Sequence, residues 1–252
     1  MSTGDTNYES MKTEKQPPKE FWIDKMSISK ATKVMLDNQV GSITAVEKEL
    51  PQINSVVDSI FKKLKTNSLS RLIYAGAGTS ARIALQDATE LYPTFGWPKN
   101  RIDFMIAGGL EAIISSKEGA EDDVLTPSVL AKKIDLSNND ILIGVAASGN
   151  TPFTNACLIE GSKRKSLTIA ISNNIKGSIL KNADYGIILD TGYEIIAGST
   201  RLKAATAQKI CLNIISSMIM TKLGFVKNGL MTHFIAGNQK LKKRKNKILK
   251  LL

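Results

Sequence analysis

Five short apolar runs, at residues 71–75, 102–107, 141–146, 167–171 and 185–189, recur along the middle of the chain. Stretches of helical character at 80–91, 152–162 and 176–181 lie between most of them. A strand whose two alternating faces are both apolar must be covered on both sides, and parallel neighbours need a crossover segment, usually a helix, to join them. The pattern predicts an α/β fold: a three-layer α/β/α, doubly wound, five-stranded parallel sheet at residues 52–225. A long helix at about 200–223 follows the last run. Two helical rhythms precede the first, at 29–50 and 52–65. Ile53, Val56, Val57, Ile60, Phe61 and Leu64 mark one face of the second, and Pro51 suits a helix start. Residues 1–51 are read as an N-terminal arm and helix, loosely ordered through residue 27. Residues 226–252 are read as a basic helical tail that starts near Gly229 and carries His233 as a structural residue.

Composition narrows the function classes. No apolar run is long enough to cross a bilayer, and residues 1–20 lack the apolar core of a secretory signal, so neither a membrane nor export is expected. Cys157 and Cys211 fall inside helical stretches without metal-ligand spacing and read as buried, reduced thiols of a cytoplasmic protein. The net charge of +11 is partly local, because Lys240, Lys242, Lys243, Arg244, Lys245, Lys247 and Lys250 crowd the end of the chain. No aromatic platform or zinc-finger pattern accompanies them, and a solvated helix rather than a specific nucleic-acid site is expected.

The chemistry is expected beyond the carboxyl ends of the strands, where an open α/β sheet binds ligands. After the first run comes Gly76-Ala77-Gly78-Thr79-Ser80-Ala81-Arg82, in which glycines permit a tight turn and a helix N-terminus offers free N–H groups to an anion. After the third comes Ala147-Ser148-Gly149-Asn150-Thr151-Pro152, and before the long helix comes Gly198-Ser199-Thr200-Arg201. Each alone could be a capped helix start; together they suit a phosphate monoester held by hydroxyls and backbone amides. Gly78, Thr79, Ser80, Ser148, Gly149, Thr151 and Ser199 are the candidate binding residues. No GxxxxGK[ST] occurs, and the second run ends Ile106-Ala107-Gly108-Gly109 rather than in the carboxylate a nicotinamide ribose needs. Two acidic segments, Asp87-Ala88-Thr89-Glu90 and Glu118-Gly119-Ala120-Glu121-Asp122-Asp123, border the expected pocket and could supply an acid and base pair.

With these residues the chain resembles the N-acetylmuramic acid 6-phosphate etherases of the sugar isomerase (SIS) fold group. The matching stretches are RLIYAGAGTSAR (71–82), DATE (87–90), PTFG (93–96), IAGG (106–109), EGAED (118–122), GVAASGNTP (144–152) and GSTRLKAATAQK (198–209), with Thr13-Glu14 and Ile23-Asp24 in the arm. The resemblance implies a homodimer of SIS domains that uses neither metal nor cofactor and cleaves the D-lactyl ether of N-acetylmuramic acid 6-phosphate. It also places the catalytic carboxylates at Glu90, the acid toward the leaving lactate, and Glu121, the base at C2. A non-catalytic sugar-phosphate sensor and an aldose–ketose phosphate isomerase are the alternatives on the same fold.

Overall fold

A computed structural model describes residues 11–115, 117–237, 239, 242 and 243. Its centre is the expected sheet: β1 (Leu72–Gly76), β2 (Ile102–Ile106), β3 (Ile141–Ala146), β4 (Leu167–Ser172) and β5 (Tyr185–Ile188), all parallel, in the order β2-β1-β3-β4-β5. Successive side chains alternate between two cores. Leu72, Tyr74, Ile141, Ile143, Val145, Ile169 and Ile171 face one layer, while Ile73, Ala75, Leu142, Ala146 and Ala170 face the other. Neither face meets water, which is why these strands read as continuous apolar runs.

Helices cover the two faces unequally. The first core is closed by α3 (Leu50–Thr66), α4 (Gly78–Phe95) and α8 (Lys203–Lys222), through Ile53, Val56 and Ile60, Ala84, Ala88 and Leu91, and Ala207, Cys211 and Ile215. The second is closed by α6 (Thr126–Lys133) and α7 (Pro152–Lys163), through Ala131, Phe153, Cys157 and Leu158. The chain thus leaves β1 toward one face by α4 and leaves β3 toward the opposite face by α7. Crossover direction reverses between these two adjacent strands, which opens a crevice there. A short helix, α5 (Glu111–Ile114), follows β2. Both cysteines are buried free thiols on α7 and α8. No helix among the described residues is long and apolar enough to cross a membrane.

Three expectations need correction. The helical stretch at 29–50 is two helices, α1 (Ile28–Asn38) and α2 (Val40–Lys48), that turn at Gln39. The turn lets α2 bury Ala45 and Val46 and donate from the Ser42 hydroxyl to the Lys203 carbonyl at 2.9 Å, while α1 buries no residue at all. The chain after α8 does not resume as helix at Gly229. Asn228 and Gly229, both with positive φ, turn a hairpin between β6 (Val226–Lys227) and β7 (Leu230–Met231). His233 lies in the bend beyond it, its ring edge-on to Phe225 with centroids 5.0 Å apart, and not in a helix. Most of the basic run after residue 239 lies outside the described residues. The arm, finally, is ordered from Met11: three short 3-10 turns, Lys12–Glu14, Lys19–Phe21 and Ile23–Lys25, lead into α1, and Met11 and Thr13 are buried.

Candidate functional site

The crevice between β1 and β3 holds a cleft of about 340 Å³, lined by residues from five segments distant in sequence. From the β1–α4 turn come Gly78, Thr79 and Ser80, and from the β3–α7 turn Ser148, Asn150 and Thr151. Helices α4 and α7 both begin at this crevice, and neither has a side chain capping its first N–H groups. Such ends carry partial positive charge and unpaired donors, so two of them at one cleft favour an anion over a cation there. The hydroxyls reinforce it. Ser80 and Thr79 make no hydrogen bond among the described residues, and Ser148 accepts from the Asn150 N–H at 3.1 Å and lies 3.4 Å from the Thr151 hydroxyl.

Two binding candidates stand apart. Gly149 is not part of the lining. Its positive φ suits the turn, and a Cβ there would sit 2.7 Å from the Gly177 backbone, so this glycine serves a close backbone approach. Ser199 also lies off the cleft wall, and its neighbour Thr200 takes that position.

The carboxylates are divided. Glu121 lines the cleft from a 3-10 turn (Ala120–Asp122) and is exposed, with Asp122 beside it. The segment before it is fixed by Arg82, which donates from Nε to the Ile113 carbonyl at 2.8 Å and from Nη2 to that of Ala112 at 3.0 Å. Beyond it, Asp123 accepts from the N–H groups of Leu125 and Thr126, both at 2.9 Å, in the turn that leads into α6; these bonds, chiefly to Thr126, hold its carboxyl below the ordinary value. Glu90 is elsewhere. It lies ten residues along α4 from Ser80, about 15 Å by helical rise. There it lines a second depression of about 290 Å³ between α4 and α8, with Asp87, Lys209, Asn213 and Ser217. Within one chain, therefore, Glu90 and Glu121 do not meet.

Two residues that sequence reasoning left out of the site are Met11 and Glu14, which line the cleft from the N-terminal arm. Their one signal was the Thr13-Glu14 match, which says nothing of where the arm goes. Among the described residues, no three His, Cys, Asp or Glu side chains are grouped so as to hold a metal ion.

Comparison with known proteins identifies relatives of the chain and of its fold. A family profile of the glucokinase regulatory protein N-terminal SIS domain matches residues 52–161. The chain is 43% identical over 230 residues to the N-acetylmuramic acid 6-phosphate etherase of Mycoplasma mycoides subsp. mycoides, covering 91% of this chain and 76% of that one. It is 40% identical over 238 residues to the etherase of Deinococcus radiodurans, covering 94% and 77%. Among solved structures, a Bacteroides fragilis protein described as a candidate phosphosugar isomerase involved in capsule formation superposes with a TM-score of 0.59. That match is 18% identical and covers 84% of this chain and 99% of the other, a likeness of fold.

Proposed function

Because the chain belongs to the N-acetylmuramic acid 6-phosphate etherase family, we propose that it is a carbon–oxygen lyase acting on N-acetylmuramic acid 6-phosphate in the cytoplasm. The products are N-acetylglucosamine 6-phosphate and D-lactate. The observation that carries the reading is the crevice itself, where two uncapped helix N-termini and the hydroxyls of Ser80, Ser148 and Thr151 face Glu121 across one cleft. The phosphate sits at the helix N-termini and the sugar extends toward Glu121.

In the open-chain sugar the aldehyde makes the C2 proton acidic. Glu121 takes that proton, the C2–H electrons become the C2=C3 bond, and the C3–O bond breaks. The departing ether oxygen receives a proton from the Glu90 carboxylic acid and leaves as D-lactate. Water then adds to C3 as the Glu90 carboxylate takes its proton, and Glu121 returns a proton to C2. Thr79 and Gly78 complete the phosphate turn, and Ser199 and Gly149 support the neighbouring loops rather than the ligand.

This scheme needs Glu90 and Glu121 at one sugar, and within a chain the two line different depressions. We therefore read the working unit as a homodimer in which Glu90 of the partner subunit closes the cleft. Glu90 is exposed, and helix α1 leaves Ile28 and Leu36 exposed, which a further copy could cover. Incubation with N-acetylmuramic acid 6-phosphate and assay for released D-lactate tests the activity. Binding without turnover would replace the lyase by a sugar-phosphate sensor.

A further inference from the structure

We propose that Glu14 contacts the sugar of the bound phosphosugar, accepting hydrogen bonds from its hydroxyl or amide N–H groups. The inference rests on the reading of the cleft as a phosphosugar site and adds a ligand-binding carboxylate to it.

The arm is held so that Glu14, with Met11, lines the cleft. The Lys12 N–H donates to Asn174 Oδ1 at 3.0 Å, and Asn174 Nδ2 donates back to the Thr13 hydroxyl at 3.2 Å. The Gly198 N–H donates to the Thr13 carbonyl at 3.0 Å, and Lys12 Nζ pairs with Asp190 at 2.5 Å. Asn174 is 6% exposed and also donates to the Ala147 carbonyl at 2.9 Å, directly before Ser148. The clamp therefore joins the arm to the same turn that carries the phosphate hydroxyls. With Met11 and Thr13 buried just before it and Lys15 exposed after it, Glu14 is left half-buried on the cleft wall.

Space has been left for it. A Cβ on Gly198 would lie 2.8 Å from Glu14 Oε2, so any other residue there would push the carboxylate aside. Yet no cation is provided. Among the described residues Glu14 has no ion pair, and its only side-chain donor is the Thr13 hydroxyl at a long 3.5 Å. A carboxylate kept merely to fasten the arm would engage a donor at close range, as Glu194 does by accepting from the N–H groups of Lys203 and Ala204 at 3.0 and 2.7 Å. An ionised carboxylate only accepts hydrogen bonds and repels a phosphate. In a cleft shared with two helix N-termini, the N–H groups suit the anion and Glu14 suits the hydrogen-bond donors of the sugar.

The test is calorimetric binding of N-acetylglucosamine 6-phosphate and, separately, of inorganic phosphate to the unaltered chain, Glu14→Ala and Glu14→Gln. Thermal melting of each variant accompanies it. Glu14→Ala should weaken the sugar phosphate by about ten-fold or more, a charge-assisted bond lost. Glu14→Gln, which keeps one acceptor oxygen, should weaken it less. Inorganic phosphate should bind both variants as well as the unaltered chain or better, since a negative charge has gone. Sugar-phosphate affinity within two-fold of the unaltered chain in Glu14→Ala would overturn the inference. So would parallel loss of both ligands, which would mean that Glu14 acts through the arm. Failure of the unaltered chain to bind the sugar phosphate would instead remove the functional reading, and this inference with it.

Discussion

Asn213 of α8 donates from Nδ2 to Asp87 Oδ1 of α4 at 2.6 Å, and the Ser216 hydroxyl donates to the same oxygen at 3.0 Å. The other carboxylate oxygen, Oδ2, is buried without a partner. Burial raises the Asp87 carboxyl above its ordinary value, and the two hydrogen bonds offset only part of that. The folded chain then holds this proton to higher pH than the unfolded chain does. Stability from this group is thus greatest below the ordinary carboxylate value and falls as pH rises through the raised one. Asp87→Asn, which keeps an acceptor for Asn213 and Ser216, should melt at or above the wild-type temperature at pH 7. The difference should shrink as pH falls toward 4, where the wild-type carboxyl takes up its proton. A variant less stable at pH 7 than at pH 4, relative to wild type, would contradict the sign.

The hydroxyls of the cleft are expected to contribute unequally. Ser80→Ala removes a donor with no other partner among the described residues and should weaken binding of 6-phosphorylated sugars by about 1.5–3 kcal/mol. Ser148→Ala also takes away the acceptor of the Asn150 N–H, so the turn loosens as well, and its loss should equal or exceed that of Ser80→Ala. Titration of both variants with the product sugar phosphate measures this. Unchanged affinity in both would place the phosphate elsewhere.

The fold was legible where burial imposed a period. Runs such as Ile141–Ala146 are buried on both faces, and no other structure accommodates six such residues between helices so economically. The hairpin was legible too and was passed over: Asn228-Gly229 between Val226-Lys227 and Leu230-Met231 is a strong turn signal, masked by the basic run that follows. The helix α6 was hidden because it spans only eight residues and starts without a side-chain cap, just beyond the acidic segment. The division of the carboxylates follows from helical rise between Ser80 and Glu90 and needed only that arithmetic. Glu14 could not be placed from sequence. Its position depends on bonds from Lys12 and Thr13 to Asn174 and Gly198, more than 160 residues away, and no local pattern encodes them.

Isotope exchange separates the two carboxylates by role. In deuterated water the unaltered enzyme should exchange hydrogen at C2 of the substrate or product. Exchange should survive at least partly in Glu90→Gln, because proton removal can precede ether cleavage, while lactate release falls about 10²–10⁴-fold. Glu121→Gln should lose both, since an amide is no base. Exchange that persists in Glu121→Gln and vanishes in Glu90→Gln would reverse the assignment.

Whether the site is shared between copies is decided by mixing two dead enzymes. Glu90→Gln and Glu121→Gln chains should each be inactive alone. If Glu90 acts across a two-fold interface, a mixed dimer has one site that takes Glu121 from the first variant and Glu90 from the second, and one site that lacks both. Random reassortment of equal amounts, after mild denaturation and refolding, should then restore about a quarter of wild-type lactate release, since half the dimers are mixed and each has one of its two sites intact. If instead each chain brings its own two carboxylates together, every site in the mixture lacks one of them and nothing is restored. The about 15 Å between Ser80 and Glu90 along α4 favours recovery. Absence of recovery, with mixed dimers verified by differential tagging, would require Glu90 to reach the cleft within one chain and would retire the dimeric site.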